Sequence, residues 1–215
     1  MITKTYTILL AAIAVLFFSC ASTKNGGSNK GWVSLFDGKT LNGWRANKNE
    51  GNFSVVDGKL AVKGDVAHLF YEGPVANHNF KNFEFKAKVM TLPKANSGIF
   101  IHTAYQPNSW PSVGYEVQVN NSHSDWRRTG SLYGVSDVKE VSVKDEEWYT
   151  TYVKVQDKHI TIMINDKTVV DFTEPESVSS NSSIKRKLSS GTLAIQAHDA
   201  GSRVFYKDIY VRLLP

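Results

Sequence analysis

Apolar and polar residues alternate along short stretches of the chain, and this two-residue period predicts β-strands. In the clearest stretch, residues 114–120, apolar side chains share one face and Glu116, Gln118 and Asn120 share the other. Similar runs rich in Val, Ile, Phe, Tyr and Thr recur, separated by Gly, Asn and Asp. They predict further strands over 53–56, 59–62, 83–90, 96–102, 129–134, 149–156, 159–164, 168–172, 191–197 and 203–213.

Two turn signals join neighbouring runs. Asp57-Gly58 and Asn165-Asp166 suit the tight turns of β-hairpins, which need positive φ at both central residues. Many antiparallel strands with one apolar face predict an all-β fold, a two-sheet antiparallel sandwich or jelly roll. The polar, Ser-rich residues 174–190 predict a long surface loop.

The first residues show the pattern of an export signal. Lys4 supplies a positive charge, and the apolar run over residues 8–18 is too short to span a bilayer comfortably. Cys20, the only cysteine, follows this run directly, at the position that lipoprotein signals use for lipidation. We predict a lipoprotein signal peptide over residues 1–19 and lipidation of Cys20; the alternative is an ordinary secretory signal with an incidental cysteine.

The rest of the chain divides into a tether and one domain. Residues 20–30, rich in Ser, Asn and Gly, cannot bury apolar surface and predict a flexible tether. Residues 31–215 are enough for a single domain with a real core. With Cys20 lipidated, that domain has no thiol for disulfides or cysteine zinc sites. Since the tether lacks the acidic run of some surface-exported lipoproteins, we expect an outer-membrane anchor and a domain facing the periplasm.

The charge distribution favours no nucleic-acid partner. The formal net charge is +5, but basic residues such as Lys63, Lys86 and Lys154 are scattered along the chain among acidic ones. The one basic cluster, residues 185–187, lies in a Ser-rich stretch and predicts a solvated loop.

Several phrases of the sequence resemble those of one known family. They span residues 32–44, 96–98, 114–118, 129–134, 191–198 and 205–209. In this order they are similar to the 3-keto-disaccharide hydrolase family, over nearly all of the chain after the tether. The resemblance implies a concanavalin A-like lectin/glucanase jelly roll that breaks down glycosides, especially sugars oxidised at carbon 3. His102 stands where many members carry Arg, and the segments around Trp110 and Trp126 resemble a subgroup's insert.

Polar residues on two predicted strands are the leading catalytic candidates. Glu116 could act as acid or base if its surroundings bring its pKa near the working pH, or could hold loops together through backbone hydrogen bonds. Gln118, on the same face, could orient a sugar hydroxyl or Glu116. His198 and Gln196 repeat this alternation, so His198 is the second catalytic candidate and Gln196 a substrate-binding one; for His198 a purely structural role is the alternative.

The remaining candidates bind rather than react. His102 could contact substrate, and if His102, Glu116 and His198 converge they could hold a divalent metal ion. No cofactor is otherwise indicated. Trp110, Trp126 and Tyr133 could stack on the apolar face of a sugar ring, and Arg127 could hydrogen-bond to hydroxyls or an acidic group. The predicted substrate-binding residues are therefore His102, Gln118, Gln196, Trp110, Trp126, Arg127 and Tyr133.

The carboxylate pattern departs from that of ordinary glycosidases, which use two carboxyl groups beside the scissile bond. Glucanases of the implied fold place them as Glu-x-Asp-x-x-Glu, whereas here Gln118 and Asn121 occupy the later positions. A loop carboxylate could replace the missing one. The candidates are Asp125, Asp137 and Asp199.

A 3-keto sugar needs fewer groups. Its carbonyl acidifies the hydrogen at carbon 2, so one base can remove that proton, the aglycone leaves carbon 1, and water adds back. We therefore expect Glu116 or His198 as the base, acting on an oligosaccharide or glycoside. Two alternatives stay open: a carbohydrate-binding lipoprotein without chemistry, and a structural or adhesive envelope protein.

Overall fold

Two antiparallel β-sheets make up the protein, whose computed structural model describes Met1, residues 31–176 and residues 186–215. The predicted signal peptide, Cys20 and the tether over residues 20–30 lie outside the described residues. The described part of the chain forms thirteen strands. They are β1 Val33–Ser34, β2 Trp44–Ala46, β3 Phe53–Val56, β4 Lys59–Lys63, β5 Ala67–Tyr71, β6 Phe83–Thr91, β7 Ser97–Thr103, β8 Tyr115–Val119, β9 Tyr149–Gln156, β10 His159–Ile164, β11 Lys167–Thr173, β12 Thr192–Ala197 and β13 Arg203–Leu213.

The strands divide into an eight-stranded and a five-stranded sheet. The first has the order β11-β10-β9-β6-β13-β4-β3, with β1 added through β13; the second has the order β2-β5-β12-β7-β8. Each pair in both sheets is antiparallel. The predicted all-β, two-sheet antiparallel sandwich is therefore confirmed.

The core lies between the two sheets, because alternate side chains of each strand point inward. Burying one such side chain contributes about 1.5–3 kcal/mol. Central members from both sheets, all at most 1 % exposed, are Phe85, Ile99, Val117, Val153, Ile195, Tyr206 and Val211. The described strands and this core all lie within residues 31–215, which form one compact unit.

Both predicted hairpins are confirmed. Asp57 and Gly58 have φ of 47° and 76° between β3 and β4, and Asn165 and Asp166 have φ of 46° and 64° between β10 and β11. Positive φ at both central residues matches the right-handed twist of the flanking strands.

The strand predicted over residues 129–134 is wrong. This segment is a loop that runs beside β8, where Gly130 and Tyr133 donate backbone hydrogen bonds to the carbonyls of Gln118 and Glu116. Strands β1, β2 and β5 were not predicted. β1 and β2 are two and three residues long, and β5 is buried on both faces, so none of them shows alternation.

Regular helix in the described part of the chain is limited to short 3-10 segments at Glu50–Asn52 and Val75–His78. None of the described helices is long and apolar enough to cross a membrane.

Candidate active site

A cavity of about 260 Å³ opens on the outer face of the five-stranded sheet, above β8 and β12. Its floor comes from strand positions that alternate with core residues, so the fold itself turns these polar side chains away from the core. The lining residues are Asn96, Phe100, Trp110, Pro111, Gly114, Glu116, Gln118, Asp125, Tyr133, Arg186 and His198.

Glu116 lies at the floor of the cavity and is only 8 % exposed. Burial raises the pKa of its carboxyl group to about 8, although the Arg186 guanidinium and the Gln196 amide act in the opposite direction. The Gln196 amide nitrogen lies 3.5 Å from Oε1 of Glu116. At neutral pH the side chain therefore carries a proton that it can donate.

Gly98 on β7 leaves the space that this carboxyl group fills. A Cβ atom at Gly98 would collide with Oε1 of Glu116. Gly98 is opposite Gln118 in the β7–β8 register, and Phe100 is opposite Glu116. The glycine of the Asn96-Ser97-Gly98 segment therefore has a steric role, because a residue without a side chain is needed beside the Glu116 carboxyl group.

Two amides beside Glu116 present free acceptors. The side-chain nitrogen of Gln118 donates to Oδ1 of Asn96 at 2.7 Å. The Oε1 atoms of Gln118 and Gln196 are buried and have no hydrogen-bond partner within the described part of the chain. Buried acceptors without partners are costly, so a ligand hydroxyl that donated to them would be favoured.

His198 follows β12 and is oriented by Asp199. Its Nδ1 atom lies 2.8 Å from Oδ2 of Asp199, which also accepts from the hydroxyl of Ser202 at 2.7 Å. Burial alone would raise the pKa of Asp199, but hydrogen bonds from Ser202, His198 and the Gly201 amide hold it below its usual value. The carboxylate is therefore the acceptor and Nδ1 the donor, which leaves a lone pair on Nε2 of His198.

In the described residues, one group of three potential metal ligands lies close together: His123, His198 and Asp199. The hydrogen bonds of His123 argue against a metal centre there. Nδ1 of His123 accepts from the backbone N–H of Asp125 at 3.1 Å, and Nε2 lies 3.7 Å from Oδ2 of Asp199. A metal-bound histidine normally donates through its second nitrogen, which here faces a donor. Asp199 is therefore the hydrogen-bond partner of His198, and His123 lies beside this pair without a hydrogen bond to Asp199.

A second carboxyl group, Asp125, lines the same cavity as Glu116. The hydroxyl of Tyr133 donates to Oδ2 of Asp125 at 3.3 Å. Arg186 reaches the backbone carbonyl of Tyr133, and its guanidinium lines the cavity. This wall combines an acid, a phenol and a cation.

The opposite wall is aromatic. Trp110 is 38 % exposed. The centre of its ring lies 5.4 Å from that of His68 and 5.7 Å from that of His198. Burial, followed by the charge of Lys48, lowers the pKa of His68 to about 3, so His68 is neutral and supports the wall as an uncharged ring. Phe100 continues this surface.

Most of the candidate residues predicted from the sequence meet at this cavity. Glu116, Gln118, Trp110, Tyr133 and His198 line it, and Gln196 contacts Glu116 from below. Trp126 and Arg127 do not line it. Arg127 pairs with Asp137 at 3.2 Å, and its guanidinium stacks on Trp126 at 4.8 Å.

His102 also lies elsewhere. Its φ of 51° interrupts the strand alternation, so the ring turns away from the cavity and packs against Phe83. Nε2 lies 2.9 Å from the carbonyl oxygen of Lys81, and Nδ1 accepts from the amide of Ser189 at 3.1 Å. The predicted convergence of His102 with Glu116 and His198 is therefore wrong.

The sequence analysis did not assign Asn96, Phe100, His68 or Arg186 to the site. Asn96 and Phe100 flank Gly98 in a phrase that had been singled out, so their neighbourhood was a usable signal. Arg186 was part of the cluster predicted as a solvated loop, and its approach to the cavity depends on tertiary contacts alone.

Three comparisons with known proteins bear on this site. The chain is 25 % identical over 169 residues to the 3-keto-disaccharide hydrolase of Bacteroides thetaiotaomicron, a match covering 66 % of this chain and 58 % of that relative. The chain thus spans less than two thirds of that relative's length. Among solved structures, a candidate glycosyl hydrolase from Parabacteroides distasonis superposes with a TM-score of 0.73 at 22 % identity, covering 86 % of this chain and 94 % of that one.

A carbohydrate-binding module of Bacillus subtilis shares the fold at a TM-score of 0.56 and 8 % identity, covering 79 % of this chain and 95 % of the module. These two structural likenesses show the fold alone. The family model of the 3-keto-alpha-glucoside-1,2-lyase-like domain matches residues 31–212. That match covers nearly all of the described domain, and the chain therefore belongs to the 3-keto-alpha-glucoside-1,2-lyase-like family.

Proposed function

We propose that this protein cleaves glycosides oxidised at carbon 3, by elimination across C1 and C2 followed by addition of water. The observation that carries the proposal is that a protonated acid, Glu116, and an oriented base, His198, line one cavity. The family model and the name of the Bacteroides relative support the substrate class.

His198 is the base in this proposal. The carbonyl at C3 acidifies the hydrogen on C2, and Nε2 of His198 takes that proton. Asp199 holds the ring through Nδ1 and stabilises the imidazolium that forms. The sequence predicted either Glu116 or His198 as the base. The hydrogen bond between His198 and Asp199 favours His198.

Glu116 is the acid. As the C1–O bond breaks, the departing oxygen takes the proton of Glu116, and C1 and C2 become a double bond conjugated with the C3 carbonyl. Water then adds to C1, giving its proton to the Glu116 carboxylate, while His198 returns a proton to C2. Both residues end in their starting states, and the products are a 3-keto sugar and the aglycone.

The cavity suits one sugar ring. Its volume of about 260 Å³ lies below the ~300–1,000 Å³ of drug-sized ligand pockets. The free Oε1 atom of Gln118, which lines the cavity, would accept from a ring hydroxyl, and Trp110 would cover the apolar face of the ring.

The test uses 3-keto-glucosides with leaving groups of different acidity. For an alkyl aglycone, Glu116→Gln should lower kcat about 10²–10⁴-fold, the usual contribution of acid catalysis. For a nitrophenyl aglycone, which needs no proton to depart, the variant should stay within a few-fold of wild type. An equal loss on both substrates would assign Glu116 a different role.

A second function, hydrolysis of unoxidised glycosides, is favoured by one observation: Asp125 places a second carboxyl group in the cavity with Glu116. Offering each glycoside in native and 3-keto form separates the two. Cleavage of native forms that is lost in Asp125→Asn would support two-carboxylate hydrolysis. Cleavage of the 3-keto forms alone would support elimination.

A carbohydrate-binding role without chemistry is the less favoured reading. A lectin site needs hydrogen bonds and stacking, but gains nothing from a carboxyl group with a pKa of about 8 or from a histidine aligned by a carboxylate. Turnover of any of these glycosides would exclude that reading.

A further inference from the structure

The outer face of the eight-stranded sheet, on the side of the sandwich opposite the cavity, is strongly basic. Strands β4, β6, β9 and β13 point apolar residues into the core and basic residues outward, so lysines that are scattered in the sequence gather on one surface. We call this surface the basic face. Its cations are Lys59, Lys63, Lys86, Lys88, Lys154, Arg203, Lys207 and Arg212.

Like charges face each other on neighbouring strands of the basic face. Lys88 is opposite Lys207 in the β6–β13 register, and Lys63 is opposite Arg203 in the β4–β13 register. Such pairs destabilise a sheet. An anionic partner that contacted both cations of a pair would replace this repulsion with attraction.

Three carboxylates lie on or beside this surface, and one of them, Asp57, has Oδ2 3.5 Å from Nζ of Lys59. Glu84 is engaged by Arg212, and it also accepts from Tyr152 at 2.6 Å; Asp208 lies at the bulge in β13. They leave the basic face with a clear excess of positive charge.

Aromatic rings lie among these cations. The ammonium of Lys86 lies 4.2 Å from the centre of the Trp32 ring, and the Arg212 guanidinium lies 5.0 Å from it. Lys207 lies 4.3 Å from the Trp148 ring. Tryptophan with lysine and arginine is the composition of protein surfaces that bind at the headgroup level of membranes.

The described domain begins at the edge of this surface. Gly31 packs against the side chain of Arg212, and Trp32 lies between Lys86 and Arg212. Whatever precedes residue 31 therefore joins the domain here. Residues 20–30 reach at most ~40 Å when extended, so a lipid on Cys20, which the sequence predicts, would hold the domain within that distance of a membrane.

We propose that the basic face docks onto an anionic lipid surface and leaves the cavity open on the opposite side. The inference rests on charge, aromatic composition and the position of residue 31, and is independent of the chemistry at Glu116.

Vesicle binding tests it with residues 31–215, which contain all the described strands and the core, after circular dichroism and a cooperative urea transition have shown that this fragment is folded. Sedimentation with vesicles of phosphatidylglycerol and phosphatidylcholine is compared with phosphatidylcholine alone. Wild type should bind only the anionic vesicles, and less at high salt. The double variant Lys88→Glu with Lys207→Glu should bind at least roughly thirty-fold more weakly, since the loss of two attractive charges alone gives that factor.

The matched control, Lys139→Glu with Lys144→Glu, makes the same change of net charge on the exposed loop between β8 and β9 and should bind like wild type. Equal losses in both double variants, or no binding to anionic vesicles at low salt, would overturn the proposal. So would tighter binding to duplex DNA or a sulfated polysaccharide than to the vesicles at equal salt.

Discussion

Burial of single side chains decides the chemistry of the cavity. Glu116 is held protonated by its surroundings, although its ordinary pKa is 4.5, and the same burial keeps His68 neutral. The sequence predicted the outward direction of Glu116, because alternation is a local property. It could not predict the protonation state, which depends on the walls that distant loops supply.

The raised pKa of Glu116 makes stability depend on pH. Between pH ~4.5 and ~8 the unfolded chain ionises this group while the folded protein keeps the proton, so stability falls as pH rises through that window. Glu116→Gln, which cannot ionise, should therefore be more stable than wild type at pH 8, by an amount on the order of 4 kcal/mol. Urea unfolding should show this difference shrinking towards zero at pH 4; a constant difference at both pH values would contradict the explanation.

Activity should depend on Gly98 as well as on the residues that we propose to be catalytic. Gly98→Ala adds a Cβ atom where Oε1 of Glu116 lies, so the carboxyl group must move. We expect kcat on 3-keto-glucosides to fall at least ten-fold, with little loss of secondary structure by circular dichroism. Gly51→Ala is the control, since nothing lies near a Cβ atom at that position; equal activity of the two variants would argue against this steric role.

At the scale of elements, a buried carboxyl group joins both ends of the segment that delivers Arg186. Glu174, 4 % exposed, accepts from the Tyr115 hydroxyl at 2.7 Å and from the Leu188 amide at 2.6 Å. His102 holds the next amide of the same segment, that of Ser189. His102 thus helps to position this segment and does not contact the cavity directly.

Glu174→Ala should weaken substrate binding more than it slows chemistry. The variant leaves the Tyr115 hydroxyl and the Leu188 amide without their acceptor, which costs about 1–3 kcal/mol of folding stability. We expect KM to rise because Arg186 loses its position, with a smaller change in kcat. Glu176→Ala, whose side chain is exposed, is the control; an unchanged KM in Glu174→Ala would separate this segment from the site.

The strands also show where prediction from the sequence succeeds and where it fails. Alternation predicted β8 and β12 and thereby Glu116, Gln118 and Gln196 on one face. It failed at His102, where a left-handed residue breaks the period, and at β5, which is buried on both faces. Such deviations arise from tertiary packing, and a single sequence carries no local signal for them.

At the scale of the whole molecule, the sandwich separates two surfaces of different character. One carries a small cavity with titratable groups, and the other is the basic face. The sequence analysis missed the basic face because its charges are spread over four strands and are neighbours only across the sheet.

Lys88→Glu should stabilise the protein while it weakens vesicle binding. The change turns the like-charged pair with Lys207 into an opposite-charged one, a gain of about 0.2–1 kcal/mol at low salt that shrinks as salt is added. Urea midpoints at two salt concentrations measure it, with Lys139→Glu as the control. Destabilisation by Lys88→Glu would show that Lys88 has a structural partner.

The position of β13 affects when the protein can fold. This last strand lies inside the eight-stranded sheet, between β6 and β4, and it also holds β1 from the other end of the domain. Contacts between such distant parts of a chain form slowly. A ribosome must therefore make the residues up to Leu213 before the eight-stranded sheet can close, which leaves β4 and β6 without their shared neighbour while the residues between β6 and β13 are being added.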